Sequence, residues 1–542
     1  MMGRCAACLL ATLSLLTLTA CQAPSSSELP PPPSDSGGVQ LDWGALTDYE
    51  PPENQYTRRY DNFTDYLIPA GDYGPLIPFP GRRVYTEWMG DTWLYGLVTQ
   101  KGEIIVDPVY STASVLRQYD MAQGHSVYLP YLLLEKVDYD PAAEKEVWDI
   151  TVAALDGSWV RDSYALFVGG SSDVLLLGTA DGYLEALSSD GSLRWRKSFA
   201  ELNLPDTVTE FGETLSISEG VACYWDNYYA PERTVYYLNT ADGTLPQRSS
   251  SGLPGVFSDG LAAAWQEQDG QTRYGYVDHT GAWVIAPQYI AADPFRDGIA
   301  LVQLPDQTQA LIDQKGTVLL HCTGGELLSF QDPDGARLYL EAVYTGERPL
   351  GEFYRAEQYC VNAAYDKNLR PHETPAAGEM ILWYYNSYWL NPGDNLWENG
   401  KLTVGTARSE IALTLPAGYI PYEAVQTDGG ILLHLSASDG SRDASAFYDS
   451  AGRLRIDAAP YAGISETTDY ITGKSFLVGH APDNMRYDLY DSAGSPLLSL
   501  PANNWYPQLY GDLILVQDLY GTGLRTLSGE WVFRYLVQDT DM

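Results

Sequence analysis

The stretch YGYVDHTGAWVIAPQY, residues 274–289, places two runs of mostly apolar residues on either side of Asp278-His279-Thr280-Gly281. Glycine adopts the positive φ that closes a tight hairpin, and an aspartate three residues earlier can accept hydrogen bonds from the turn backbone. Alternation of apolar and polar residues indicates strands with one buried face. The stretch therefore predicts a β-hairpin.

The same pattern recurs along most of the chain. Its turn glycines are Gly102, Gly157, Gly191, Gly243, Gly281, Gly316, Gly452, Gly494 and Gly529. Asp366-Lys367-Asn368-Leu369 is a degenerate copy in which Asn368 would take the left-handed conformation. Most neighbouring turns are about 35 to 45 residues apart, the period of a four-stranded propeller blade, and larger steps indicate insertions.

An isolated hairpin is marginally stable in water, so these units must stack. We therefore predict an all-β repeat architecture over residues 41–542, as a seven- or eight-bladed β-propeller, with an open β-repeat array as the alternative. About ten hairpins are more than seven or eight blades require. Either some blades contribute two of the recognised turns, or the array is not one closed ring.

Two resemblances support this expectation. Residues 274–302, and residues 95–110 in their first part, resemble the WG repeat of bacterial proteins, in which Tyr-Gly precedes the turn and Pro-x-Tyr follows it. Residues 177–195 resemble a blade of the quinoprotein type, a pattern shared by propellers that bind no quinone, so we expect no cofactor from it.

Composition limits the function further. The 542 residues include 32 Lys+Arg and 71 Asp+Glu, giving a formal net charge of −39. A chain this acidic lacks the basic stripe that a nucleic acid requires, so we expect no nucleic-acid partner. A hydrophobic content of 45% is enough for a large core and excludes wholesale disorder.

The amino terminus reads as a targeting segment. Residues 1–20 have one early positive charge, Arg4, followed by a short apolar run, the pattern of a signal peptide. Leu18-Thr19-Ala20-Cys21 resembles the lipobox of bacterial lipoproteins. The resemblance implies cleavage before Cys21, a diacylglycerol on its sulfur, and a location on the extracytoplasmic face of the cell membrane, or on the outer membrane where the cell has two. The alternative is an ordinary signal peptide. Residues 22–40, rich in Ser, Pro and Gly, would form a disordered tether.

Few residues suggest chemistry. The six histidines are isolated, and no nucleophile elbow, phosphate loop or dinucleotide fingerprint occurs, so we expect no enzyme activity, no cofactor and no metal site. Cys223, Cys322 and Cys360 are the cysteines beyond Cys21. Three thiols allow at most one disulfide, and buried free thiols are the favoured interpretation.

The aromatic-rich segment 383–397, WYYNSYWLNPGDNLW, is the candidate ligand site. Trp383, Tyr385, Trp389 and Trp397 could stack on sugar rings or hold a peptide, the alternative being that they pack into the repeat core. Elsewhere, Trp159, Trp283 and Trp531 each follow a turn glycine by two residues, which predicts one buried strand face.

These observations favour a membrane-anchored, non-enzymatic binding or scaffold module for protein or glycan, presenting loops on a rigid ring. The alternatives are an envelope glycoside hydrolase with paired carboxylates, and an envelope-assembly factor of the kind found among quinoprotein-like propeller lipoproteins.

Overall fold

Turns and strands alternate through almost the whole of the described chain. The computed structural model describes residues 68–69, 71–86, 90–120, 125–140, 145–204, 215–225, 233–250, 252–331, 336–350, 354–373, 378–382, 389–391, 401–405, 410–482, 486–501, 506–517, 521–536 and 538–540. Residues Gly37–Met542 form one compact unit. No helix within the described ranges has the length and apolar character needed to cross a membrane.

The described strands form nine sheets, which we number in chain order. Sheet 1 contains β1 (Leu76–Thr86), β2 (Gly90–Thr99), β3 (Ile104–Tyr110) and the last strand, β41 (Gln538–Thr540). Sheet 2 contains β4 (Thr112–Asp120), β5 (His125–Asp140), β6 (Lys145–Ala154), β7 (Val160–Gly170), β8 (Val174–Thr179), β9 (Tyr183–Ser188) and β10 (Leu193–Ser198). Helix α1 (Phe199–Leu202) follows it.

The middle of the chain forms four further sheets. Sheet 3 contains β11 (Ile217–Ser218), β12 (Val221–Trp225), β13 (Arg233–Asn239) and β14 (Gln247–Ser250). Sheet 4 contains β15 (Ala262–Gln268), β16 (Gln271–Val277) and β17 (Trp283–Tyr289). Sheet 5 contains β18 (Ala291–Ala292), β19 (Ile299–Gln303), β20 (Gln309–Asp313) and β21 (Val318–Cys322). Sheet 6 contains β22 (Glu326–Gln331), β23 (Arg337–Leu350), β24 (Tyr354–Asp366), β25 (Gly378–Leu382), β26 (Trp389–Asn391), β27 (Lys401–Gly405) and β28 (Glu410–Thr414).

Three four-stranded sheets complete the series. Sheet 7 contains β29 (Tyr419–Thr427), β30 (Gly430–Ala437), β31 (Asp443–Asp449) and β32 (Leu454–Ile456). Sheet 8 contains β33 (Gly463–Thr468), β34 (Ser475–His480), β35 (Arg486–Asp491) and β36 (Pro496–Pro501). Sheet 9 contains β37 (Gln508–Tyr510), β38 (Leu513–Gln517), β39 (Gly521–Thr526) and β40 (Trp531–Leu536).

The repeated turn forms as its sequence predicts. All nine turn glycines have φ between 67° and 90°. In the turn at Gly281, the Asp278 carboxylate accepts hydrogen bonds from the backbone N–H groups of Thr280 (2.8 Å) and Ala282 (3.1 Å). The same pair of contacts recurs at Asp313, Asp366, Asp449 and Asp491. One carboxylate therefore satisfies two turn donors in each of these copies.

The Tyr-Gly and Pro-x-Tyr elements of the WG pattern meet at a β-bulge. Residues 274 and 276 pair with residues 289 and 285, so that Gly275 alone faces three residues of β17. A Cβ on Gly275 would lie 2.4 Å from the carbonyl oxygen of Ile285, which only glycine avoids. Pro287 lies in the bulge, where the missing N–H breaks no ladder bond. β2 and β3 repeat this register around Gly96.

The turn glycines also join neighbouring sheets. A Cβ on Gly281 of the sheet 4 turn would lie 2.3 Å from the Tyr237 ring of sheet 3. A Cβ on Gly494 of sheet 8 would lie 2.8 Å from the Phe447 ring of sheet 7. The turn of one unit is thus pressed against the preceding unit, so the glycine serves both turn geometry and close packing.

Hydrophobic clusters connect each sheet with the next, in an unbroken cycle. Val235 of sheet 3 packs with Val277 of sheet 4, for example, and Leu432 of sheet 7 packs with Leu477 of sheet 8. Equivalent clusters join every other successive pair of sheets. Each sheet therefore buries its faces against two neighbours, which is how propeller blades are stabilised.

Sheet 9 closes the cycle on sheet 1. The rings of Phe79 and Phe533 meet edge to face at 5.0 Å, and the Thr522 hydroxyl donates to the carbonyl of Pro80 at 2.6 Å. β41 pairs with β1 in parallel, whereas the other strand pairs of the described chain are antiparallel. A Cβ on Gly102 would lie 2.6 Å from the carbonyl oxygen of Val532, so the closing joint has the same construction as the other joints.

The predicted all-β repeat architecture is confirmed, in the closed rather than the open arrangement. The described residues form nine sheets where the sequence predicts seven or eight blades. The ten predicted turns fall in these nine sheets because sheet 2 carries two of them, at Gly157 and Gly191. The two halves of sheet 2 also pack on one another, because Leu133 and Val152 of the first half share a hydrophobic cluster with Leu175 of the second half. One sheet thus contributes two recognised turns.

Two local predictions are wrong. Trp283 is 37% exposed instead of buried, because β17 is the last strand of sheet 4 and pairs only with β16. Trp159 and Trp531 are half-buried. In the degenerate turn, Leu369 and not Asn368 takes the left-handed conformation, with φ of 59°, and Asp366 still caps the turn.

Candidate functional site

A pocket with a cavity volume of about 140 Å³ lies where sheets 1, 2, 8 and 9 meet. Since a single water needs roughly 15 Å³, this cavity has room for part of a larger ligand. The described lining includes two glutamines, Gln508 and Gln517, and five tyrosines: Tyr95, Tyr470, Tyr487, Tyr506 and Tyr510. We call this site the tyrosine pocket.

Tyr470 and Tyr510 form one wall of the tyrosine pocket. Their rings stack with centroids 4.8 Å apart, and Tyr128 meets Tyr470 edge to face at 4.4 Å. Tyr470 belongs to the turn after β33, where its N–H donates to the carbonyl of Leu509 at 2.9 Å. Asp469 caps the same turn by accepting from two backbone N–H groups. Backbone and ring contacts together therefore fix the position of Tyr470.

Tyr487 and Tyr506 form a second aromatic wall, with ring centroids 6.1 Å apart. His480 lies against both rings, at 5.1 Å from Tyr487 and 5.6 Å from Tyr506. The Ser465 hydroxyl is 2.7 Å from the Tyr506 hydroxyl and 2.8 Å from Nε2 of His480. This network orients Tyr506, whose side chain remains 37% exposed.

Gln517, the last residue of β38, contributes an unsatisfied polar atom. Its Oε1 is buried and has no hydrogen-bond partner within the described part of the chain. Gln508 differs, because its Oε1 accepts a hydrogen bond from the Tyr510 hydroxyl at 3.2 Å. A buried carbonyl without a donor costs about 1–3 kcal/mol.

The tyrosine pocket is electrically neutral along its described lining, which includes no charged side chain. Burial raises the pKa of Tyr95, Tyr470 and Tyr510, so these phenols keep their protons. Burial also lowers the pKa of His480, which favours its neutral form at neutral pH. The pocket can therefore offer O–H donors, amide groups and aromatic faces, but little that would stabilise a charged ligand.

Of the ligand-site residues predicted from sequence, only Trp389 is among the described residues. Trp383, Tyr385 and Trp397 lie outside the described residues, as does Cys21. Trp389 begins β26, and its backbone pairs with Leu382 and Gly405 in sheet 6. The tyrosine pocket was not predicted, because its residues come from distant parts of the sequence and share no local pattern.

The thiols and the possible metal ligands are the other groups to which the sequence draws attention. Cys223, Cys322 and Cys360 are free thiols, and burial raises the pKa of Cys223 to about 12. No group of three or more His, Cys, Asp or Glu side chains there is arranged to hold a metal ion.

Sequence comparison supports the repeat. The family described as "WG containing repeat" matches residues 95–123 and 274–304, the two segments that share the bulged register of Gly96 and Gly275. A search of the curated proteins finds no significant match.

Solved structures with propeller folds align with the chain at low similarity. BamB from Moraxella catarrhalis is 11% identical with a TM-score of 0.20, covering 77% of this chain and 98% of BamB. The β-propeller domain of the Trilobed protease from Pyrococcus furiosus is 10% identical with a TM-score of 0.26, covering 50% of this chain and 90% of that domain. The Dos1 propeller is 8% identical with a TM-score of 0.26, covering 76% of this chain and 93% of the Dos1 propeller chain. Similarity at this level carries no inference about function.

Proposed function

We propose that this protein is a non-enzymatic binding module, held at the extracytoplasmic face of a membrane by a lipid on Cys21, and that the tyrosine pocket binds its ligand, a glycan or a segment of another protein. The observation that carries the proposal is the cavity of about 140 Å³ lined by prepositioned tyrosines. Ligand sites are typically concave and apolar, with a few polar groups that fix orientation.

The construction of the tyrosine pocket supports binding. Tyr470 is held by Leu509 and Tyr510, and Tyr506 is held by Ser465, so the walls need little rearrangement to receive a ligand. Preorganised side chains lower the entropic cost of binding. Tyrosine also gives a large contact area for few rotatable bonds, which is why it recurs in binding sites.

Binding can be tested with the full-length lipidated chain in detergent, on an array of neutral glycans and neutral short peptides. We expect a ligand whose binding is lost in Tyr506→Ala and kept in Tyr344→Ala. Both tyrosines are partly exposed, 37% and 46%, but Tyr344 lies in sheet 6 and outside the tyrosine pocket. If no ligand on the array depends on Tyr506, the proposed function is wrong.

The anchor has a separate test. Replacing the thiol in Cys21→Ser removes the sulfur that would carry the diacylglycerol, while Ser keeps a small side chain at the cleavage site. We expect the variant to lose incorporation of labelled fatty acid and its firm membrane association, since stable anchoring requires the buried acyl chains. Labelling equal to that of the unmodified chain would exclude Cys21 as the lipid site.

A further inference from the structure

The outer edge of sheet 5 differs from the corresponding edges of the other sheets. β21 ends sheet 5, and within the described part of the chain it pairs only with β20. A strand in this position bonds to its neighbour through alternate residues, so its other N–H and C=O groups point away from the sheet. Such an edge can accept a further strand. β21 contributes no residue to the tyrosine pocket, so this surface is independent of the function proposed above.

The composition of β21 leaves its edge unprotected. Proteins commonly protect an edge strand with charged residues or with proline. Eight described strands follow a repeated turn and end their sheet, and seven of them contain Asp, Glu, Lys, Arg or Pro. These residues include Asp107 in β3, Arg194 in β10, Arg248 in β14, Pro287 in β17, Arg455 in β32, Pro496 in β36 and Arg534 in β40. The exception is β21, Val318-Leu319-Leu320-His321-Cys322, which contains none of the five.

The exposed part of β21 is largely apolar. Val318 is 48% exposed and Leu319 is 44% exposed. Cys322 is buried in a cluster with Leu327 of sheet 6, and Leu320 packs against the same cluster. The strand is therefore held in place by the neighbouring sheet while two of its large apolar side chains remain in contact with water. A rigid apolar edge of this kind is typical of a docking site for an extended peptide.

Charge indicates which partner fits this edge. Nε2 of His321 is 2.8 Å from the Thr308 hydroxyl, which donates to the exposed Asp306 carboxylate at 2.5 Å. Burial and the neighbouring Glu341 carboxylate raise the pKa of the Cys322 thiol, so a second acidic group lies near the same end of β21. The whole chain carries a net charge of −39. A basic partner is attracted to this surface, whereas a second copy of the chain is repelled by its own equal charge.

We propose that β21 binds an extended segment of a partner protein, in which apolar and polar residues alternate and Lys or Arg lies beside the Cys322 end. The segment adds to sheet 5 through backbone hydrogen bonds, and its apolar side chains cover Val318 and Leu319. Backbone bonds supply much of the affinity in this mode of recognition, and the alternate side chains supply the specificity.

The test uses the full-length lipidated chain in detergent and three peptides with blocked ends. The first has two lysines followed by three Val-Thr pairs, the second has glutamates in place of the lysines, and the third is the first with two valines replaced by proline. We expect the lysine peptide to bind and to slow amide hydrogen exchange in residues 318–322. The glutamate peptide should bind about tenfold more weakly, the equivalent of two lost charge pairs. The proline peptide should not bind, since it lacks two backbone donors.

Two leucine substitutions locate the site. Leu319→Gln removes exposed apolar surface from β21 without adding a charge. Leu193→Gln is the matched control, because Leu193 is 54% exposed on β10, an outer strand that contains Arg194. We expect Leu319→Gln to weaken binding of the lysine peptide about fivefold and Leu193→Gln to leave it unchanged.

Several results would overturn the proposal. They are absence of binding by the lysine peptide, slowed exchange confined to other strands, and equal weakening in the two leucine variants. A dimer that Leu319→Gln dissociates would show that a second copy covers β21. Exchange in β21 as slow without peptide as in β20 would show that another part of the chain covers it. None of these results depends on Tyr506, so the function proposed for the tyrosine pocket stands or fails separately.

Discussion

The turn at Gly281 and the tyrosine pocket differ in how tightly their atoms are packed and in whether their buried polar groups are hydrogen-bonded. In the turn, Asp278 is satisfied by two backbone donors, and the Tyr237 ring leaves no room for even one added carbon at Gly281. In the pocket, the Oε1 of Gln517 has no partner among the described residues and about 140 Å³ is open. Filled and satisfied contacts stabilise a fold, whereas an open cavity lined by aromatic side chains is typical of a ligand site. The repeat therefore carries stability, and the pocket is where we propose that a ligand binds.

The largest expected effect is that of Gly281→Ala on the free energy of unfolding. The added methyl would lie 2.3 Å from the buried Tyr237 ring, at a φ of 73° that alanine disfavours. Overpacking costs about 1–3 kcal/mol and the strained backbone about 1 kcal/mol more. We expect a total loss of about 2–4 kcal/mol, measured by urea unfolding.

Gly182→Ala is the control for backbone strain alone. Gly182 has φ of 85°, but an added Cβ there would meet no atom within 4 Å. We expect a loss of about 1 kcal/mol for this variant. Equal losses in the two variants would show that the turn glycine does not join neighbouring sheets.

The second effect concerns the carboxylate cap. Asp278→Ala leaves two turn N–H groups without their acceptor, and loss of such a cap costs about 1–2 kcal/mol. Asp428→Ala, at an exposed aspartate of the β29–β30 hairpin, is the control, for which we expect a change within about 0.5 kcal/mol. A larger loss in the control than in Asp278→Ala would contradict the role of the cap.

The caps also predict how stability depends on pH. Backbone N–H donation lowers the pKa of Asp242, Asp313 and Asp366 in the folded chain. Groups whose folded pKa is depressed stabilise the protein above their unfolded pKa of about 3.9, and this stabilisation is lost as the pH falls through the lower folded values. We expect Tm to fall as the pH is reduced below about 4. A constant or rising Tm over that interval would contradict this explanation.

The sequence predicts the structure correctly where a residue acts within a single hairpin. Gly281 and Asp278 act within one hairpin, so their spacing alone predicts the turn, and the Tyr-Gly pattern predicts both WG segments. The tyrosine pocket combines Tyr95 with residues from Tyr470 to Gln517, which only the closing of sheet 9 on sheet 1 brings together. Ring closure is a property of the whole chain, so no local pattern indicates the site.

The third effect is a gain in stability at the pocket. Gln517→Met removes a buried, unsatisfied carbonyl oxygen and leaves an apolar side chain of similar length, which removes a desolvation cost. We expect the free energy of unfolding to rise by about 0.5–1 kcal/mol. The opposite change in stability would mean that the amide is satisfied in solution, and the contrast between turn and pocket would then be lost.

The smallest effect tests the degenerate turn of sheet 6. Leu369→Gly would restore the repeat sequence after Asp366 and relieve a left-handed leucine at φ of 59°, a gain of about 1 kcal/mol. The same change removes a half-buried side chain that packs near Tyr339, with a loss of similar size. We expect the gain from relieved backbone strain and the loss of packing to cancel within about 1 kcal/mol in urea unfolding. The reason is that a packed side chain fills this turn, whereas at Gly281 the glycine backbone itself lies against the neighbouring sheet. A loss as large as that of Gly281→Ala would show that leucine is required at this joint and that the turn of sheet 6 is a distinct structure, not a degenerate copy of the repeat.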